Sequence, residues 1–233
     1  MGEMLPAVTS DAGRAAATTR ASVVYSRMRE DILSGALPPN QHLMMEFLKE
    51  RYQTGISPLR EALSRLAMEK LVILQDRRGF SVAPISHDEL IDLFETRCLV
   101  EEQALRKAMA VPRNFEWLEV VALAYHRLGF VPRFQGQGTG EFNLEWEQLH
   151  KRFHMALVSG CGLPTLVAFC KQLNDRTDRY RRLSVRQERS SRDPAKEHGM
   201  IFDAVMKGDV ELAVKHLRNH YMLTARLLGP VTS

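Results

Sequence analysis

The sequence predicts a mostly α protein: an N-terminal winged helix-turn-helix of three helices plus a β-hairpin, then a C-terminal all-α bundle of six to seven helices. Three observations predict it. Apolar residues recur at helical spacing along most of the chain. Two β-prone runs flank a single basic, Gly-containing turn early in the sequence. From Ser86 onward the periodicity stays helical to the end.

Taken in order, residues 1–19 are rich in Ala, Thr and Gly and read as a disordered arm. Residues 20–85 form the winged unit. Val23 to Leu33 carries apolar residues at helical spacing, and Gly35 with the Pro38-Pro39 pair ends that helix. Leu43 to Arg51 is a short second helix. Ser57 before Pro58 reads as an N-cap followed by proline at the first helical position. The third helix runs through PLREALSRLAMEK. Its apolar stripe is Leu59, Ala62, Leu63, Leu66 and Ala67, which leaves Arg60, Ser64 and Arg65 off the stripe. The hairpin is LVILQ, the turn Asp76-Arg77-Arg78-Gly79, and FSVAPI. Pro84-Ile85-Ser86 is the linker into the domain 86–233, whose helices fall at about 87–110, 114–128, 144–159, 163–185, 195–207 and 209–228. The Gly- and Gln-rich stretch 131–142 reads as a mobile loop, and Ser159 to Pro164 as a helix stop and fresh start. There is no internal repeat.

Composition narrows the classes. With 233 residues the chain holds one large domain or two small ones, and 45% hydrophobic with 26% charged residues is ordinary for a globular protein. A net charge of +4 permits a nucleic-acid partner without demanding one. Cys98, Cys161 and Cys170 share no close spacing, so neither a disulfide framework nor a zinc ribbon is expected, which fits a reducing cytoplasm. No apolar run approaches the roughly 18 residues of a membrane span, and the first twenty residues lack a signal-peptide core.

Two constellations carry chemistry. The first is a DNA-reading surface. A recognition helix needs donors on its outer face for base edges and phosphates. Arg60 and Arg65 are candidates there, Ser57 with the free N–H groups of the first turn suits a phosphate, and Arg77, Arg78 and Gly79 form the wing tip. A solvated helical bundle with scattered arginines is the competing reading, since residues 21–85 hold nine Lys/Arg against seven Asp/Glu. The second is a set of histidines. His150 and His154 are i and i+4, on one helix face and close enough to share a cation. Gly208-Asp209 reads as a C-cap glycine and an N-cap joining two antiparallel helices. His198 lies 10 residues before Gly208 and His220 lies 11 after Asp209, so a tight hairpin puts them at one height, with His216 a turn nearer the hinge. Four neutral imidazoles at one level suit a divalent transition metal, zinc or nickel above all. Ordinary surface or core histidines are the alternative.

A metal-dependent hydrolase is the rival use of that cluster. It needs an open coordination position and a general base. Glu147 and Glu197 lie near the histidines in sequence, but their spacing defines no catalytic geometry, and the wing and the Arg60 helix would have no task. A purely structural metal in a DNA-binding protein is a third reading.

The segment Ile32 to Pro39, then SPLREALSRLAMEKLV, then the Arg-Arg-Gly wing resembles the N-terminal domain of the GntR family of bacterial transcription regulators, over nearly all of residues 20–85. The resemblance implies operator contacts by Arg60 and Ser57. Ile56 stands where the family often has a base-contacting arginine, and Glu46 where some members have another, so the operator is expected to differ. Residues 87–228 resemble the all-helical effector (FCD) domain of the FadR-type branch, through Phe153-His154, the Gly-rich helix stop, Lys196-Glu197-His198, Gly208-Asp209 and His220. That resemblance implies a metal held by one Asp and three His. Here His150 stands in the Asp position, giving a more cationic four-His site. The segment Asp92 to Arg97 with Glu101 resembles the family's stretch with an inward arginine, which implies that Arg97 clamps an effector carboxylate bidentately. An Arg97–Glu101 surface pair is the alternative. Tyr180 is a further candidate for the pocket wall, or a core tyrosine. The Arg-rich stretch 176–192 faces the DNA domain, a dimer mate or solvent. EWEQLHKRFHMALVSGCG together with SPLREALSRL is similar to the carbon-starvation-induced, glutarate-responsive members, implying a small dicarboxylate or hydroxy-acid effector. The expectation is thus a homodimeric, ligand-responsive repressor on double-stranded operator DNA, with no membrane partner.

Overall fold

The computed structural model describes residues 19–75, 79–112, 114–135, 141–184 and 192–227. The arm (residues 1–18), the wing-tip residues Arg77 and Arg78, and 136–140 of the expected loop lie outside the described residues.

The first unit begins with α1 (Arg20–Leu33), whose N-cap is Thr19; its hydroxyl accepts from the Ser22 N–H. The chain then turns at Gly35, which has φ +79°. α2 (Met45–Tyr52) ends at Gln53 in the left-handed region. α3 (Ile56–Met68) starts earlier than the sequence predicts: Gly55, extended at φ −81° and ψ 174°, is the N-cap. Ser57 is therefore already inside the first turn and does not cap the helix, because the extended-to-helical change occurs two residues before it. β1 (Val72–Gln75) and β2 (Gly79–Val82) pair antiparallel, from Val72 opposite Val82 to Gln75 opposite Gly79. Residues 40–43 pair on the other edge of β2, through Leu43 N to Phe80 O at 2.8 Å and Val82 N to Gln41 O at 2.9 Å. The apolar stripe of α3 (Leu59, Ala62, Leu63, Leu66) is buried with Met28, Ile32, Leu48 and Val82 in one core. Burying that stripe fixes which face of α3 remains outward.

The second unit holds α4 (His87–Ala110), α5 (Phe115–Gly129), α6 (Leu144–Ser159), α7 (Pro164–Ser184), α8 (Pro194–Met206) and α9 (Val210–Leu227). Between α5 and α6, β3 (Phe134–Gln135) and β4 (Glu141–Phe142) form a two-residue antiparallel ladder inside the stretch read as a mobile loop. Asn143 anchors it: its N–H donates to Arg133 O at 3.0 Å, and its side chain donates to Pro132 O at 2.9 Å. α4 packs against α6, α7 and α9, and α8 against α9. Gly208, at φ +72°, and the Asp209 side chain, which accepts from Leu212 N at 3.0 Å, make the α8–α9 hairpin as expected. At the α6 stop, Gly160 backs onto the buried Trp117 ring; a Cβ there would lie 2.6 Å from two of its carbons.

α7 joins the units. Arg182 pairs with Glu30 of α1 at 2.9 Å, and Arg179 donates to the carbonyls of Ala83 and Pro84 in the linker. Arg176 and Tyr180 both reach Glu89 at the start of α4, at 2.8 and 2.7 Å. Among the described residues, no helix is long and apolar enough to cross a membrane.

Candidate functional site

α6 carries Trp146, His150, Phe153 and His154 on its buried face, and the α8–α9 hairpin brings His198 and His220 opposite them. All four histidines are at most 4% exposed, and one nitrogen of each lies within 4.8 Å of the others. That spread is little more than two metal–nitrogen bonds of about 2.1 Å. The structure thus groups the four residues that the sequence grouped, with His216 outside the set.

Hydrogen bonds fix which nitrogens face inward. Glu197 lies 2.7 Å from His220 Nδ1 and accepts its proton, which leaves Nε2 as a lone pair. Tyr221 donates its hydroxyl proton to Glu101, so at 2.9 Å its oxygen accepts from His154 Nδ1, and His154 Nε2 is likewise a lone pair. That nitrogen faces His150 Nε2 at 3.1 Å. His198 Nε2 is buried with no hydrogen-bond partner. Burial holds all four imidazoles neutral: the values of His150, His154 and His220 lie well below the ordinary 6.5, and that of His198 falls to about 3. A buried, partnerless lone pair is costly, and several converging on one point suit a cation. The residues present therefore fit a divalent transition metal, with N-only donors appropriate to zinc or nickel.

The network continues behind the histidines. Glu101 takes the Tyr221 proton on one side and pairs with Arg97 at 2.8 Å on the other. Arg97 also donates to Thr177 Oγ1 of α7 at 2.7 Å. Arg97 is 1% exposed, so the Arg97–Glu101 pair is internal, not a surface contact. Its guanidinium is engaged by a carboxylate of the protein itself, that of Glu101. Burial alone would lower its affinity for a proton, but Glu101 and Tyr221 hold it protonated. Arg192 fixes Glu197 in turn, at 2.7 and 2.8 Å. Tyr180 also departs from expectation. Its hydroxyl is bound to Glu89 beside the linker, so it belongs to the domain junction and not to the histidine pocket. Sequence reasoning passed over Tyr221, Thr177 and Arg192; nothing in their spacing separates them from core and surface residues, although Tyr221 adjoins His220.

On the DNA-reading side, Ile56, Ser57 and Arg60 are exposed at the start of α3. Arg65 is not part of that face. It stacks over the Tyr25 ring at 4.0 Å and donates to Ser22 at 3.3 Å, both on α1. Its angular position on the helix, beside the buried stripe, turns it toward α1. Gly79 opens β2 at φ +79°, a conformation that favours glycine.

A winged helix-turn-helix with an outward arginine on its third helix, carried on a helical bundle with a buried histidine cluster, defines a DNA-binding regulator with a separate sensing domain. The family model described as bacterial regulatory proteins, gntR family, matches residues 20–82, and the FCD domain model matches residues 92–222. The chain belongs to the gntR family of bacterial regulatory proteins and carries its FCD effector-binding domain. It is 35% identical over 196 residues to the HTH-type transcriptional regulator BphR of Paraburkholderia xenovorans, covering 84% of this chain and 80% of that one. To the HTH-type transcriptional repressor GlaR of Escherichia coli it is 33% identical over 203 residues, covering 85% and 90%. The fold is similar to that of E. coli McbR/YncC, with a TM-score of 0.68 at 20% identity over 90% of this chain and 97% of the other. These families and relatives are transcription regulators, not enzymes, and the hydrolase reading of the histidines falls with that.

Proposed function

We propose that the protein is a homodimeric, cytoplasmic repressor of a metabolic operon that releases its operator when a small carboxylate binds at a metal-containing pocket. The observation that supports this best is the convergence of four buried, neutral imidazoles, with the outer nitrogens of His220 and His154 held by Glu197 and Tyr221. His150, His154, His198 and His220 would hold zinc or nickel, and the ion would supply a positive centre for a carboxylate oxygen. Four neutral donors leave the ion's charge uncompensated, which strengthens its attraction for an anion. Arg97 acts behind the site, orienting Glu101 and through it Tyr221 and His154. Repression is supported by the 33% identity to the repressor GlaR. DNA is read by Arg60 and Ser57, with Arg77, Arg78 and Gly79 as further candidate contacts; a two-fold dimer presents two such helices about one turn of B-DNA apart. Effector and operator affinities are then linked.

The test is the metal content of the purified protein, wild type beside His154→Ala, followed by operator binding with and without carboxylates. Near-stoichiometric zinc or nickel that disappears in the variant is expected. A folded wild-type protein that takes up neither ion overturns the reading.

A further inference from the structure

α5 buries one side only. Trp117, Val121 and Leu128 face the core, whereas Phe115, Glu119, Val120, Leu123 and Arg127 are exposed. Val120 and Leu123 are 51% and 52% exposed, and Phe115 is 64% exposed. Apolar side chains so placed contribute little to the folding of one chain. Next to them a groove of about 390 Å³ lies between α5, α6 and α7. Val120, Leu123, Leu149, Met155 and Val167 form its apolar lining, and Arg127 and Arg152 are its charged groups. A continuous apolar surface with a polar rim is the mark of an interaction site.

Charge and register say what fits there. The groove presents two cations and no acid among its lining residues, so its occupant must be apolar and bring carboxylates. The exposed side of α5 is itself such a surface, with Glu119 beside Val120 and Leu123. Glu119 and Arg127 lie four residues before and four residues after Leu123. Residues four apart along a helix form one ridge, and the commonest helix crossing lays two such ridges side by side. A two-fold axis at Leu123 runs the ridge Glu119-Leu123-Arg127 antiparallel to its own copy. Glu119 then stands opposite the partner's Arg127, and Arg127 opposite the partner's Glu119. Opposite charges placed evenly about one leucine are what a self-complementary, two-fold contact requires. An unrelated protein makes no such demand on the sequence. Glu119, Arg127 and Arg152 make no ion pair or side-chain hydrogen bond among the described residues, so the two charges of the ridge are not held within the chain.

We propose that the α5 face is where two copies of the chain meet, with Leu123 on the two-fold axis and a Glu119–Arg127 ion pair between protomers on either side of it. The inference rests on the homodimer reading above and adds the surface and its register. The apolar residues supply most of the affinity, and the two ion pairs fix orientation and reject misaligned contacts.

The experiment is sedimentation velocity of the full-length protein over a dilution series. Wild type, Glu119→Arg, Arg127→Glu and an equimolar mixture of the two variants are compared, with circular dichroism on each sample. The wild type is expected to be a dimer. Each single reversal sets like charges against each other at both ends of the ridge, so dimerisation is expected to weaken by about tenfold or more. The mixture is the decisive sample. One variant brings only arginines to the ridge and the other only glutamates, so the mixed pair regains two opposite-charge contacts and is expected to dimerise nearly as the wild type does. Both side chains are exposed, so the circular dichroism spectra are expected to match. A merely structural role for either residue predicts no restoration on mixing. Single variants that dimerise like the wild type, or a mixture no stronger than its components, overturn this inference, leave the groove to a ligand or another protein, and leave the homodimer reading standing. A monomeric wild type overturns both.

Discussion

Tyr221 shows what a single residue contributes. Its hydroxyl joins two buried groups, giving a proton to Glu101 and accepting one from His154. Replacing it with Phe keeps the ring in the core but removes the acceptor that fixes the His154 tautomer. Metal affinity is then expected to fall about 10- to 100-fold, the usual effect of losing an outer partner of a ligating histidine. Competition with a fluorescent zinc chelator checks this, and an unchanged affinity would show that the hydroxyl does not orient the ring. Arg60 makes the complementary case at the other end of the chain. It is exposed, so Arg60→Ala is expected to leave folding intact and to weaken operator binding by roughly 1–3 kcal/mol if it reads a base edge. A fluorescence-anisotropy titration at fixed salt tests it; equal affinities would remove Arg60 from the interface. The histidines were legible because i, i+4 spacing and equal distances from one hinge are one-dimensional facts that survive folding. Arg65 was not. A residue beside a buried stripe can turn to solvent or to the neighbouring helix, and only the position of Tyr25 decides.

Among the elements, helix limits followed the capping chemistry. Ser86, Asn143, Asp193 and Asp209 each accept from a backbone N–H near the start of a helix. α2 and α5 start without a side-chain cap bond, and so does α3, where Gly55 took the cap position that the Ser57-Pro58 pair advertised. Glycine has no cap side chain to read in advance, yet it adopts the extended geometry as readily. The β3–β4 ladder was illegible for a different reason. Two residues per strand are too few to show alternation, and its anchor is Asn143, outside the ladder. The packing of α5 onto α6 depends on Gly160. Its backbone, at φ −77°, would accept alanine, but the added methyl meets the Trp117 ring at 2.6 Å. Trp117 is itself tied by its indole N–H to Ala156 O at 2.8 Å and cannot simply move aside. Gly160→Ala should therefore destabilise the protein by about 1–3 kcal/mol. Urea unfolding measures this; a wild-type midpoint would mean that α5 shifts without loss.

For the molecule as a whole, the histidine cluster makes metal-free stability depend on pH. Each imidazole has a folded value below its ordinary 6.5, because burial opposes the charged form. Below that pH the unfolded chain binds more protons than the folded one, so stability falls as pH drops from about 6.5 toward the folded values, and is unaffected above neutrality by these groups. Metal-free protein should melt at a lower temperature at pH 5.5 than at pH 7.5, with His154→Ala reducing the difference; identical melting curves would contradict the burial of the cluster. The order and type of the two units were legible, since periodicity and turn chemistry are local. Their mutual placement was not. It depends on Arg179 and Arg182, which in sequence look like part of a solvated basic run, and which in the structure grip the linker carbonyls and Glu30. This arrangement bears on how such proteins can be recombined. The sensing half carries its own fastening for a reading head, all on one helix, and two of its fastening points are backbone carbonyls at residues 83 and 84 that any sequence would offer. A foreign winged domain spliced in ahead of that linker would need an acid at the Glu30 position and a base at the Arg29 position, which faces Asp175, to be seated in the same way. The bundle is thus a portable sensor, with its half of the coupling already in α7.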